Sequence, residues 1–197
     1  MNTSCPPAVR VPSPVTILSL MAAQVGDIRA HAIRTALAFP AGAASDRVSR
    51  GEIALALAGL LFEDVQSRVP MARAYVEDSV HAGQALTFDH GALRTVAADC
   101  GRLPAGALAF ARILEPLGYE RAADYDLANI SMTGYAYCHR DLPEAIPQYF
   151  VSELHVDRFS PEFQAAVHRV VSDSDDPLSG RAKDALSTLA ANGSLDF

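Results

Sequence analysis

At 197 residues, half of them hydrophobic and a fifth charged, the chain is long enough to bury a full-sized core and too apolar to be a disordered polymer. Its formal charge is −7, and its basic residues are arginines scattered singly, with Lys183 the only lysine; no stripe could neutralise phosphates, so a nucleic-acid partner is not expected. The longest apolar run, Ile53 to Phe62, is ten residues, too short to cross a bilayer. The N-terminus shows no charged region followed by an apolar core and a cleavage site, which predicts a cytoplasmic protein with no membrane partner. Cys5, Cys100 and Cys138 form no CxxC pair, so neither a disulfide framework nor a thiolate zinc site is signalled.

Residues 1–13 are proline-rich without hydrophobic periodicity and read as a flexible arm. From Pro14 to Ala38 the residues Ile17, Leu18, Met21, Val25, Ile28, Ala32 and Ile33 recur at helical spacing, predicting one amphipathic helix that ends before Pro40. Ser49 and Glu52 have the spacing of a capping box, so a helix should follow to about Arg68. Pro70 opens another, to about Val80. After Gly83 the pattern changes: Leu86 to Ala97 reads as a strand, Pro104 to Leu117 as a helix, and Tyr119 to Asp126, Ile130 to Tyr137 and Gln148 to Val156 as three more strands. Ser160-Pro161-Glu162 starts a helix with an apolar stripe of Phe163, Val167, Val170 and Val171, and a last helix runs from Ser179 to Ala191 before Asn192-Gly193. The expected fold class is α+β: after the arm, a single domain over 14–197, with a helical part at 14–83, a βαβββ module at 84–157 and C-terminal helices at 158–197.

Two places could carry chemistry. On a strand, His90 and Arg94 project to one face, with Cα atoms about 13 Å apart at 3.3 Å per residue. An imidazole suits iron, zinc or manganese, and a guanidinium suits bidentate carboxylate recognition, so a small diacid could touch both. The bland alternative is a hydrogen-bonded histidine and a surface arginine on a half-exposed strand. Glu153 and His155 alternate together on the later strand, and with His90 they could supply the two-His, one-carboxylate set of non-haem iron, or a zinc site for hydrolysis. Either could equally pair with Arg158. His139 reads as a loop or hydrogen-bonding residue, and His31, His81 and His168 as ordinary helix residues. No GxSxG elbow, phosphate-cradling glycine loop or HExxH helix is present in the sequence.

With His90-Gly-Ala-Leu-Arg94-Thr95, FARILEPLGY at 110–119, HRDLP at 139–143 and FVSELH at 150–155, the chain resembles the 2-oxoadipate dioxygenase/decarboxylase family, the hydroxyglutarate synthases, from about residue 14 to its C-terminus. The resemblance implies a vicinal-oxygen-chelate-like fold of paired βαβββ modules around iron(II). It also implies oxygen-dependent conversion of 2-oxoadipate, a small anionic 2-oxo acid, to 2-hydroxyglutarate and carbon dioxide in lysine catabolism. Carried over by residue, His90 matches an iron ligand that also meets substrate, and Arg94 the clamp on the substrate carboxylate. The family's remaining ligands, a His and a Glu, belong to a second module, whereas only helices are expected here after residue 156. Three arrangements would resolve this: a fragment of a longer enzyme, which is the favoured expectation, a homodimer sharing a site, or recruitment of Glu153 and His155. The competing expectation is an inactive fragment or a non-catalytic interaction domain.

Overall fold

The structure, a computed structural model, describes residues 9–196; the first eight residues of the expected arm lie outside the described residues. The chain forms two compact units, one up to Phe88 and one over Asp89–Asp196. Among the described residues no helix is long and apolar enough to cross a membrane.

The first unit is helical. Its opening helix is divided in two, α1 at Pro14–Val25 and α2 at Asp27–Ala36, where a single helix to Ala38 was expected. Gly26 is the cause: at φ +81° it adopts a backbone conformation that L side chains avoid and ends one helix while starting the next. The break also resets the helical phase. Ile17 and Met21 of α1 and Ala30 and Ile33 of α2 are buried, while Ile28, placed in the apolar stripe by unbroken periodicity, is 89% exposed. The expected arm is anchored where it is described: Ser13 caps α1 by accepting from the Thr16 amide, and Arg10 pairs with Glu52 at 2.7 Å.

Glu52 organises this unit. The strand β1 at Arg47–Ser49 leads into α3 at Arg50–Arg68, and Ser49 and Glu52 form the expected capping box. The Glu52 carboxylate is fully buried and accepts from the Ser13 amide at 3.0 Å and from the Ser49 amide and hydroxyl at 2.8 Å each. Burial pushes its carboxyl up, but the Ser49 and Ser13 amides, the Ser49 hydroxyl and the Arg10 guanidinium outweigh that and hold it below its usual value. One side chain thus ties the start of α3 to the start of α1. Further along, Gly59 lets the two helices approach closely, since a Cβ there would sit 2.6 Å from the Met21 sulfur. The helix α4 spans Pro70–His81, and Leu86, expected to begin a strand, instead makes an isolated bridge with Leu37.

The second unit contains the βαβββ module: β2 at His90–Val96, α5 at Leu108–Leu114, β3 at Tyr119–Leu127, β4 at Met132–His139 and β5 at Gln148–Leu154. The sheet order is β2-β5-β4-β3, with β2 parallel to β5 and the other neighbours antiparallel. The fold class is the expected α+β arrangement with a vicinal-oxygen-chelate-like module. Helix α5 is shorter than the Pro104–Leu117 pattern suggested, because Gly106 at φ +60° and Gly118 at φ +95° mark turns at its two ends.

The C-terminal helices are α6 at Pro161–Val171 and α7 at Gly180–Asn192, each capped by a serine hydroxyl, Ser160 and Ser179, and followed by β6 at Ser194–Asp196. The connection between them is held by Asp176, which takes a bidentate Arg112 at 2.9 and 2.7 Å and Lys183 at 2.8 Å. These hydrogen bonds from Arg112 and Lys183 hold the Asp176 carboxyl well below the usual carboxylate range. The apolar stripe of α6 buries no residue completely, and Val170 is 77% exposed.

Replacing Glu52 by Gln is expected to destabilise the protein by about 2–3 kcal/mol, because buried donors lose their anionic acceptor, and urea unfolding reads this directly. A carboxyl with a lowered folded pKa gives stability that is full above its unfolded value near 4.3 and lost as pH falls through the folded value. Acid unfolding of E52Q should accordingly be less steep in pH than that of the wild-type protein.

Candidate functional site

Strand pairing assigns every sheet residue to a face, because side chains alternate along a strand and partners in register point the same way. In the parallel pair of β2 and β5, His90 lies opposite Gln148, Ala92 opposite Phe150 and Arg94 opposite Ser152. The antiparallel pairs continue the last of these rows from Ser152 to Gly134 on β4 and Tyr125 on β3. His90, Ala92, Arg94, Phe150 and Ser152 therefore share one face. The opposite face carries Tyr119, Tyr137, Tyr149, Val151 and His139, all buried, and it also carries Glu153, whose partners in register are Thr95 and Thr133.

His90 begins β2 with its side chain 66% exposed. Its Nδ1 lies 2.8 Å from the Asp89 carboxylate, a contact that favours a proton on Nδ1 and leaves the Nε2 lone pair for a ligand, the usual way a carboxylate orients a metal-binding imidazole. Arg94 donates from Nη1 to the Ser152 hydroxyl at 2.8 Å, and its Cζ stands 5.8 Å from the centre of the Phe150 ring. Among the described residues no carboxylate pairs with Arg94, so its remaining N–H groups are available to an incoming anion.

The expectation that Glu153 and His155 could join His90 around one metal is corrected by this register. Glu153 points to the opposite face and lies opposite Thr95, five residues from His90, about 16 Å along the strand. Both oxygens of Glu153 are engaged: Oε2 accepts from the Ala107 amide at 2.8 Å and Oε1 from the Tyr135 hydroxyl at 2.6 Å. Burial, and then the hydrogen bond to Glu153, push the Tyr135 phenol up to about 12, so it stays a donor at any working pH. Gly106 makes room for this arrangement, since any side chain there would run into the Glu153 carboxylate. His155 bonds to the Thr133 hydroxyl at 2.7 Å, on the same side as Glu153. Glu153 therefore fastens the turn before α5 to the sheet, and the zinc-hydrolase arrangement of His90, Glu153 and His155 loses its geometry for the same reason.

His139 is a hydrogen-bonding residue as expected, and it is fully buried. Its Nδ1 accepts from the amides of Asp141 and Leu142, which puts the proton on Nε2, donating to the Leu117 carbonyl at 3.0 Å. Among the described residues no group of three His, Cys, Asp or Glu side chains could hold a metal ion. On its own, the site face brings a single oriented imidazole and a cation, and these residues do not fit an iron ion without donors from elsewhere.

Reading the sequence alone passed over Asp89 and Ser152. The first was signalled by its adjacency to His90. The second had no signal in its own segment, because only the pairing of two strands 58 residues apart brings it to Arg94.

A family model described as 2-oxoadipate dioxygenase/decarboxylase matches residues 59–197. The chain is similar to a glyoxalase superfamily protein from Ralstonia eutropha JMP134, with 46% identity and a TM-score of 0.88, covering 92% of this chain and 58% of that one. It is also similar to the hydroxyglutarate synthase of Oryza sativa, solved in complex with 2-oxoadipate, with 20% identity and a TM-score of 0.51, covering 97% of this chain and 51% of that one; that likeness speaks to the fold alone. No curated protein matches the chain. The chain thus spans 58% of the length of the Ralstonia protein. With well over half of its residues matched by the family model, the chain belongs to the 2-oxoadipate dioxygenase/decarboxylase family.

Proposed function

We propose that this chain serves the iron(II)-dependent reaction of 2-oxoadipate with dioxygen, giving 2-hydroxyglutarate and carbon dioxide. The observation that carries the reading is the pair on one sheet face: an oriented imidazole, His90, and four residues along the strand an arginine with no acidic partner among the described residues. Family membership supports the reaction class, and the rice structure that shares the fold holds 2-oxoadipate.

In this reading Arg94 receives the distal carboxylate of the diacid through paired N–H donors, which fixes where the other end of the molecule lies. The methylene chain lies over Ala92, between the two functional side chains on the same face, where a small residue leaves room for it. His90, oriented by Asp89, presents Nε2 at the 2-oxo end as one iron donor. Iron(II) would supply the oxygen chemistry when bound, and it would need donors from outside this face, such as those of a second copy of the chain. A cytoplasmic location and a place in lysine catabolism belong to the same reading. The rival, a non-catalytic domain, draws on the single donor that the described residues bring to this face.

Oxygen uptake with iron(II) and 2-oxoadipate, with 2-hydroxyglutarate assayed as product, tests the proposal. Turnover that disappears in His90→Ala and falls roughly 100-fold in kcat/KM in Arg94→Ala supports it, whereas no uptake and no bound iron supports the rival. Glu153→Gln makes a separate prediction: a loss of about 1–3 kcal/mol of stability in thermal or urea unfolding, with iron content unchanged. A loss of bound iron in that variant at full stability would show that Glu153 is a ligand.

A further inference from the structure

Arg94 is a long side chain on the edge strand β2, and an unrestrained arginine gives up about 2 kcal/mol of rotamer freedom when a ligand freezes it. Here it is already held. Ser152 lies directly opposite it in the parallel register, is 1% exposed, and accepts a hydrogen bond from Nη1 at 2.8 Å. The Phe150 ring stands 5.8 Å from the guanidinium carbon. That ring takes its place because Gly134, the partner of Ser152 on β4, has no side chain; a Cβ there would run into it. Tyr125, the partner of Gly134 on β3, packs on the other part of Phe150 with ring centres 5.5 Å apart. Arg94, Ser152, Gly134 and Tyr125 thus form one row across all four strands, and Phe150 stands in the adjacent row between Ala92 and Ala136.

We infer that Ser152 is the positioning residue of the carboxylate clamp: with Phe150, seated over Gly134, it holds the Arg94 guanidinium in place so that its free N–H edge is set for the distal carboxylate of the substrate. The inference rests on the reading that Arg94 receives this carboxylate. The hydroxyl occupies one N–H of Nη1 and leaves Nε and Nη2 as a planar fork, the geometry a carboxylate matches with two parallel bonds. Ordering the fork before the ligand arrives removes part of the cost of binding. Neither Ser152 nor Gly134 touches the substrate in this arrangement, so both act through Arg94.

The test compares wild-type protein with Ser152→Ala and with Ser152→Thr, which restores the hydroxyl. Calorimetric titration with 2-oxoadipate gives the affinity. The Arg94 Nε–Hε signal in nitrogen–proton spectra, identified by its loss in Arg94→Lys, gives the mobility of the guanidinium without any substrate. Expected are about tenfold weaker binding in S152A, recovery in S152T, and a narrower, more mobile Arg94 signal in S152A alone. Equal affinity and an unchanged Arg94 signal in S152A would overturn the inference. If the wild-type protein bound no 2-oxoadipate, the substrate reading would fail, and the Arg94 signal would still decide whether Ser152 holds the guanidinium.

Discussion

The parallel pairing of β2 with β5 is the constraint on which the rest of the site depends. Because strand side chains alternate with a period of two, a shift of that register by one residue would carry each side chain of one strand to the other face. In the observed register Arg94 meets Ser152, and Glu153 is directed away to the turn before α5. The two faces then have different duties. One is closed by buried tyrosines and by the Glu153 and His139 hydrogen bonds. The other presents an exposed imidazole and an exposed guanidinium above small and apolar residues. The close β5–β4 pairing, with Gly134 admitting the Phe150 ring, extends the same logic across the sheet.

Local signals in the sequence were reliable where the physics is local. The Ser49–Glu52 capping box, the proline at the start of α4, the helix starts near Ser160 and Ser179 and the strand-helix-strand-strand-strand order are all present in the structure. Errors arose where one residue overrides a pattern: Gly26 splits a helix that periodicity alone would run through to Ala38. His90 and Arg94 could be assigned a common face from their spacing within a single strand. The faces of Glu153 and His155 relative to His90 could not, since that depends on how two distant segments pair, and His155 lies just past the end of β5 at Leu154. Buried Glu52 shows the same limit, for its capping role was legible and its bonds to Ser13 and Arg10 were not.

A shared fold with an oxygenase family and a two-residue functional face give a coherent division of labour. In the proposed function Arg94 would recognise charge, His90 would offer a donor, and the apolar floor between them would take a methylene chain. Among the described residues no group of three His, Cys, Asp or Glu side chains could hold a metal ion, so in the proposed reaction an iron ion would need donors besides His90.

The central claim is that metal chemistry belongs to the His90 face of the sheet and not to the Glu153 face. Anomalous diffraction at the iron edge, on crystals grown anaerobically with iron(II) and 2-oxoadipate, measures this directly. The account predicts an iron peak within bonding distance of His90 Nε2, with a substrate carboxylate on Arg94 and no metal near Glu153 or His155. A peak held by Glu153 and His155, with His90 unliganded, would contradict it.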